Sequence, residues 1–350
     1  MATGNLDSAD MKAAAFKGTI NESVIQEYYD VSYIPHEFMS RIGVQSVGNS
    51  YAEWGVDDLG AQDLDNAKVD GADTINENDA SVGGREGNHC QISTKTVKVS
   101  TRARNSDALA TSDEYDRQMI RSMQKLERDR EGIYLTGQGS EADDGNSTPG
   151  RLGGLQAWLK SNAVNGTTAG FANGQVPAFT PGEAKAASFR DLKALINHVW
   201  TGGGNPSLLM SVPSVISGLN EYMLDPSNNA PIAALSGNTS ADSGRNQMVA
   251  KGSVNVFVSD FGQVLEIVAN RLQPTYDDAT AGTPLESAAM FVLDPDYIDE
   301  GILHGYREEE LSKTGLADNS HLAIDYTLLV TNEKAHGCYN DIDVSAAWGD

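Results

Sequence analysis

The residues able to do acid–base, metal or nucleophilic chemistry are six histidines, two cysteines and 49 acids. His36, His89, His198, His304, His321 and His336 are scattered, and no two stand at the spacing that a structural zinc site needs. His89 and Cys90 form one adjacent pair without a partner motif, and Cys338 lies far from both. Asp63, Asp65 and Asp70 imitate the start of a calcium loop. Ala67 stands where a fifth-position ligand should be and the sixth position is not glycine, so the pattern reads as a solvated acidic face. Gly137-Gln138-Gly139 lacks the third glycine of a dinucleotide loop and follows a helical pattern, which makes it a helix stop. A nucleophile elbow, a Walker A loop and an HExxH pair are absent. Neither a Ser-His-Asp set nor a carboxylate pair can be singled out among so many serines and acids. The sequence therefore assigns no catalytic, cofactor-binding or metal-binding residue.

Aromatic residues are the remaining candidates. Tyr51 and Trp54 stand in an alternating stretch, with Tyr51, Glu53 and Gly55 on one face and Ala52, Trp54 and Val56 on the other. They could stack on a ligand, but aromatics of this kind more often pack on a neighbouring subunit or on the base of their own element. Tyr28 and Tyr29 belong to a short apolar group with Val24, Ile25 and Ile34, able to dock a segment that Pro35 ends.

The elements that position these residues follow from pattern. Residues 44–56 read as a strand, and 91–104, rich in Thr and Val, as a second long strand. The acidic, Gly-rich stretch between them is too long for a loop inside a compact domain, so the whole reads as a projecting two-stranded flap. Residues 112–136 give the strongest helix signal: Tyr115, Met119, Met123, Leu126 and Ile133 recur at steps of three and four, with a charged turn at Arg130. A second helix is expected over 184–201, with the stripe Phe189, Leu192, Leu195, Ile196 and Val199, stopped by Gly202–Gly204. Then come a strand at 207–212, a helix at 213–223, a hairpin at 254–268 turning at Asp260–Gly262, a buried strand at 290–295 and a final strand at 322–330.

The chain has 350 residues and a formal net charge of −24, with 25 Lys and Arg. That balance argues against a protein that tracks nucleic-acid phosphates and against an anionic membrane surface. No apolar run approaches the ~20 residues of a membrane span. The first residues lack the pattern of a signal peptide, and two distant cysteines exclude a disulfide framework.

In its order of arm, flap, long helix, α/β region and return strand, the sequence resembles the major capsid proteins of tailed bacteriophages, and more narrowly a podophage-type major capsid family. The stretches that carry the resemblance are Gln91-Ile92-Ser93-Thr94-Lys95-Thr96-Val97, Lys125-Leu126-Glu127-Arg128-Asp129, Gly153-Gly154-Leu155 with Trp158-Leu159, Gly203-Gly204-Asn205-Pro206, Ser259-Asp260-Phe261-Gly262, Val292-Leu293-Asp294-Pro295, Leu311-Ser312-Lys313-Thr314-Gly315 and Tyr326-Thr327-Leu328. The resemblance implies an α+β fold of the Hong Kong 97 type. It implies an N-terminal arm at 1–43, an extended β-hairpin loop at 44–104, a peripheral domain of 105–183 and 290–350 with a long spine helix, and an axial α/β domain at 184–289. It further implies a virion structural protein without enzymatic activity. Such a protein assembles in the host bacterial cytoplasm through hexamers and pentamers into an icosahedral shell around double-stranded DNA. Its partners would be further copies of itself, scaffolding and portal proteins and a decoration protein, with no membrane. Tyr51, Trp54, Tyr28 and Tyr29 would then be inter-subunit contacts. An autocatalytic Lys–Asn cross-link does not carry over, since nothing pairs Lys68 with an asparagine. A tail-tube or decoration protein and an acidic hydrolase are the competing readings. An acidic shell suits a DNA container because a like-charged wall repels phosphates.

Overall fold

The computed structural model describes residues 34–57, 62–65, 67, 69–71, 82–105, 113–166, 168, 170–224, 255–280, 285–313 and 315–349. Its strands are β1 (Gly43–Ser46), β2 (Tyr51–Val56), β3 (Gly84–His89), β4 (Gln91–Ser100), β5 (Ala163–Val164), β6 (Leu208–Ser211), β7 (Val256–Val258), β8 (Val264–Ala269), β9 (Tyr276–Asp277), β10 (Glu286–Leu293), β11 (Ile298–Leu311), β12 (Ala317–Val330) and β13 (Gly337–Asp343). The longest helices among the described residues are α1 (Glu114–Tyr134), α2 (Phe189–Thr201) and α3 (Pro213–Leu224). None of the described helices is long and apolar enough to cross a membrane.

Two sheets organise the body. One has the order β1-β11-β12-β4 and carries α1. The other has the order β5-β13-β10-β6-β8-β7, with β9 on β10. Strand β10 is buried on both faces, and its period of two divides the core. Met290 and Val292 point to Leu192, Leu195, Ile196 and Val199 of α2 and to Val215 and Leu219 of α3. Phe291 and Leu293 point the other way, to Tyr134, Leu155 and Trp158 and to Ile324, Tyr326 and Leu328 of β12. The two cores are thus the two sides of one sheet. A boundary at 289/290 falls inside β10, and β13 also pairs into the sheet that holds β6 and β8.

Several expectations need correction. Residues 44–56 form two strands in two sheets. β1 pairs in parallel with β11, the chain bends at Val47–Ser50, and β2 pairs antiparallel with β3. The flap's second strand is therefore β3, not 91–104. β4 instead pairs along its whole length with β12, and residues 101–104 turn into a short helix because the Ser100 hydroxyl accepts the Ala103 N–H. β3, Gly-Arg-Glu-Gly-Asn-His, has no β-branched residue to announce it. Gly87 is nonetheless required there, since a Cβ would lie 2.7 Å from both the Tyr51 ring and the Ala52 carbonyl. α1 starts at its Asp113 cap. Arg130, expected to be a charged turn, lies in its buried stripe with Leu126 and Tyr134. α2 begins at its Ser188 cap rather than at 184. The strand at 322–330 starts earlier, at Ala317, and is not the last, since β13 follows it.

The short motifs are turns and close approaches. At Gly154 a Cβ would stand 2.1 Å from the Thr136 carbonyl oxygen, and at Gly204 a Cβ would stand 2.6 Å from Ala335. Asp294 accepts the Asn205 N–H (2.9 Å) and donates its own N–H to His336 Nδ1 (3.2 Å), which joins two of the motifs. Replacing Gly154 by alanine is expected to cost about 3 kcal/mol, because backbone rather than a flexible side chain must move. Gly48, with open space around its Cβ position, is the matched control. Urea midpoints of the two alanine variants check this.

His336 is fully buried, and burial lowers its pKa to about 3. The fold holds the neutral imidazole, while the unfolded chain protonates near the ordinary value of about 6.5. The unfolded state binds the extra proton in this window. This contribution is therefore complete above pH 6.5 and declines by about 1.4 kcal/mol per unit as pH falls toward 3. Urea titrations between pH 7 and 4 are expected to show a shallower pH slope for His336→Gln than for the natural chain.

Candidate inter-subunit contact surfaces

The β2–β3 hairpin is seated by three groups at its base. Asn88, fully buried, donates from Nδ2 to the carbonyls of Gly153 (3.1 Å) and Leu328 (2.9 Å) and accepts the Gly153 N–H (2.7 Å). An asparagine amide matches this need, since it offers donors and an acceptor from one rigid group. Tyr51 lies on His89 with ring centroids 4.6 Å apart and donates its hydroxyl to the Gly174 carbonyl (3.0 Å). Trp54 meets Trp158 at 5.4 Å, and Trp158 in turn stacks on Phe171 at 5.8 Å, 8° from parallel. In the isolated subunit Tyr51 and Trp54 therefore pack on the flap's own base. Tyr28 and Tyr29 lie outside the described residues.

Away from its base the flap buries little. Leu64, Val69 and Val82 are 90%, 81% and 94% exposed. A second apolar area lies at the far end of the larger sheet. There Trp200 and Phe261 stack at 5.0 Å beside exposed Val256, Val258 and Val264, and β7 ends the strand order. Among the described residues β7 pairs with β8 alone, and exposed apolar groups beside such an edge ordinarily mark an interaction surface.

Beneath these surfaces lies a buried charged network. Glu131 is fully buried and accepts the N–H groups of Phe38 (2.7 Å) and Met39 (2.9 Å) and the Asn270 amide (2.7 Å). It fastens the segment before β1 to α1 and to the loop after β8. Arg130 pairs with Glu300 at 2.8 Å, both nearly buried, and Tyr134 donates to the same carboxylate oxygen at 2.7 Å. The Arg130 guanidinium also lies over the rings of Tyr306 (5.4 Å) and Tyr326 (5.7 Å). Burial raises the Tyr134 hydroxyl well above its ordinary pKa, and the Glu300 charge adds to this, so Tyr134 stays a donor. On the near side, Lys95 of β4 pairs with Asp129 of α1 at 2.6 Å.

The groups that could do chemistry are not brought together. Among the described residues there is no group of three or more His, Cys, Asp or Glu able to hold a metal ion. Cys90 and Cys338 are both buried thiols, and burial, with the Asp325 charge adding to it, pushes Cys90 up to about 12. Of the apparent calcium loop, Asp63 accepts the Asp65 N–H in an exposed turn, while Lys68 lies outside the described residues. Gly137-Gln138-Gly139 packs against the 176–179 segment, where a Cβ on Gly139 would meet the Ala178 nitrogen at 2.6 Å. Sequence reasoning missed Asn88, Glu131 and Glu300. Asn88 sits in a strand with no strand signal, and Glu131 is one charge among five acids and five bases of α1.

The architecture is the α+β Hong Kong 97-type capsid fold. Solved structures share it at low identity. The capsid of a native GTA particle aligns with a TM-score of 0.60 and 14% identity, covering 97% of this chain and 100% of that one. A chain of Mycobacterium phage Adephagia gives 0.56 and 10% over 99% of each. The holo-SrpI encapsulin complex from Synechococcus elongatus PCC 7942 gives 0.53 and 12%, also over 99% of each. At these identities the likeness establishes the fold alone. The family comes from sequence: the model of the SU10 major capsid protein matches residues 5–343, and the chain belongs to that family. It is a phage major capsid protein, and its family is a structural one. No curated protein matches it.

Proposed function

We propose that this chain assembles through hexamers and pentamers into an icosahedral shell that encloses double-stranded DNA, without sequence-specific binding to it. The observation that carries the reading is the flap, fixed at its base by Asn88 yet exposing Leu64, Val69 and Val82 beyond it. Apolar groups held out on a rigid mount gain stability by covering a second copy, and repeated contacts of that heterologous kind close into shells. In this reading the flap and the arm before residue 34 lie on neighbours, whereas residues 34–43 stay on their own subunit, where Phe38 is buried and held by Glu131. The region around α1 and the β1-β11-β12-β4 sheet is the peripheral domain, and the α2–α3 end of the larger sheet is the axial domain. β10 and β13 tie the two together. Tyr51 and Trp54 serve the contact by setting the flap's angle. Scaffolding and portal proteins are the expected partners, with a decoration protein as a further one, and assembly takes place in the host bacterial cytoplasm.

The test is expression of the full chain, alone and with a candidate scaffolding protein, followed by negative-stain electron microscopy and sedimentation velocity. Closed shells, or discrete hexamers and pentamers, are expected. A chain that stays monomeric at high concentration under both conditions would overturn the reading. Replacing residues 58–81 by a short Gly-Ser turn is expected to leave a folded subunit that no longer assembles.

A further inference from the structure

The charge of this chain is unevenly distributed. Nine of its 25 Lys and Arg fall within residues 95–130 beside six acids, whereas the other 16 share the chain with 43 acids. α1 concentrates this excess on one side. Its buried stripe is Ser122, Leu126, Arg130 and Tyr134. At 100° per residue, Arg117, Arg121, Lys125 and Arg128 form the opposite stripe, about 16 Å long at 1.5 Å rise. Arg117 is bound to Glu114. Arg121, Lys125 and Arg128 are exposed and make no ion pair among the described residues, although Arg121 acts electrostatically on Glu114. Asp129, on the stripe's flank, is already taken by Lys95. At its C-terminal end the stripe opens into a groove of about 560 Å³ that Arg128 shares with Arg271, Ser93, Thr94 and the lysine-paired Asp129.

We propose that this outward face of α1 contacts the phosphate backbone of the enclosed DNA, and so faces the inside of the shell. The proposal rests on the container reading of the proposed function. In a chain of net charge −24, three cations in a row on a rigid rod, none of them in an ion pair among the described residues, form a local site of the sign a polyanion needs. Three phosphate contacts per subunit are far fewer than the six to ten of a dedicated DNA binder. Binding by one subunit is therefore weak and salt-labile, and becomes appreciable only when many subunits present the stripe together. This agrees with the acidic composition, which excludes a tight binder but not a local cationic face.

The test compares the natural full chain with R121Q/K125Q/R128Q, using a fluorescein-labelled 30-base-pair duplex of arbitrary sequence. Affinity of the natural chain is expected to fall about 40-fold between 50 and 200 mM salt, a log–log slope near −2.7 for three contacts. The triple variant, with an unchanged urea midpoint, is expected to lose most of that slope. Binding that is identical in the two chains, or undetectable at 50 mM salt for concentrated natural chain kept as unassembled subunits or open sheets, where the face is reachable, overturns the proposal. A variant that binds DNA normally but stops assembling with a co-expressed acidic scaffolding protein also overturns it, and makes the stripe a protein-docking face. Electron microscopy of the same samples reports shell formation separately. Natural chain that binds DNA as expected yet never assembles counts against the container reading and not against the stripe.

Discussion

Replacing Arg130 by methionine is expected to destabilise the subunit by about 3–5 kcal/mol, because it leaves Glu300 charged, buried and without its cation. The side chain's hydrocarbon volume is nearly kept, so the loss is electrostatic rather than a cavity effect. Tyr134 would still donate to Glu300, but a neutral hydroxyl does not compensate a buried carboxylate. The loss should therefore shrink when Glu300→Gln is added, since the second change removes the stranded charge. Urea unfolding of the natural chain, the Arg130→Met and Glu300→Gln single variants and the double variant measures this. A single variant with the natural midpoint, or a double variant worse than the two single changes added together, would show that the pair is not what holds α1 to β11. The same network ties two further segments to α1. Glu131 holds the segment leading into β1, and Arg130, the adjacent residue, holds β11. Both ties leave from one helical turn, so the segment leading into β1 is fixed relative to the sheet beneath.

What the sequence reveals of this fold follows the strength of each local signal. α1, α2, β6, α3, the β7–β8 hairpin and β10 announce themselves by periodicity, because each buries a face or a run of apolar residues. β11 is silent despite its 14 residues. Gly301 and Gly305 interrupt it, and Glu308, Glu309 and Glu310 face solvent near its tip. It is a strand because β12 and β1 flank it, a non-local cause that composition does not record. β13 is hidden in the same way, as Gly-Cys-Tyr-Asn-Asp-Ile-Asp contains few strand formers yet is buried between β10 and β5. The flap is legible as a projection, from the improbability of so long an acidic loop, but its pairing is not. The two alternating stretches on either side of that loop look like partners, while the true partner of β2 is glycine-rich so that the Tyr51 ring can cross it. Of the aromatic candidates, Tyr51 and Trp54 can be placed on the flap from alternation alone. That they meet Gly174 and Trp158 depends on segments far along the chain being folded into place. The cationic stripe shows the reverse case: its spacing is plain in the sequence, and its meaning depends on knowing which side of α1 is buried and which acids are already paired.

Replacing Asn88 by alanine is expected to act on both stability and assembly. The change leaves the Gly153 N–H and the carbonyls of Gly153 and Leu328 without their side-chain partner, in a place from which water is excluded. Each such group costs about 1–3 kcal/mol when stranded, and partial rehydration of the loosened site brings the expected loss to about 2–4 kcal/mol. The effect should be local as well as global. Amides of β2 and β3 are expected to lose hydrogen-exchange protection first, because among the described residues these strands pair with each other alone and reach the body through Asn88, Tyr51, Trp54 and the Thr327 hydroxyl on the His89 carbonyl. Trp54→Ala, at a half-buried position, should cost less stability and loosen the same amides. Both variants are then expected to assemble poorly even where the subunit remains folded, since a flap at the wrong angle cannot deliver its exposed apolar groups to a neighbour. Exchange measured by mass spectrometry, beside shell yield by electron microscopy, separates the possibilities. Asn88→Ala with full protection in β2 and β3 would show that Asn88 is not the latch. Lost protection with normal shell yield would mean that the neighbour, rather than the flap's own base, sets its angle.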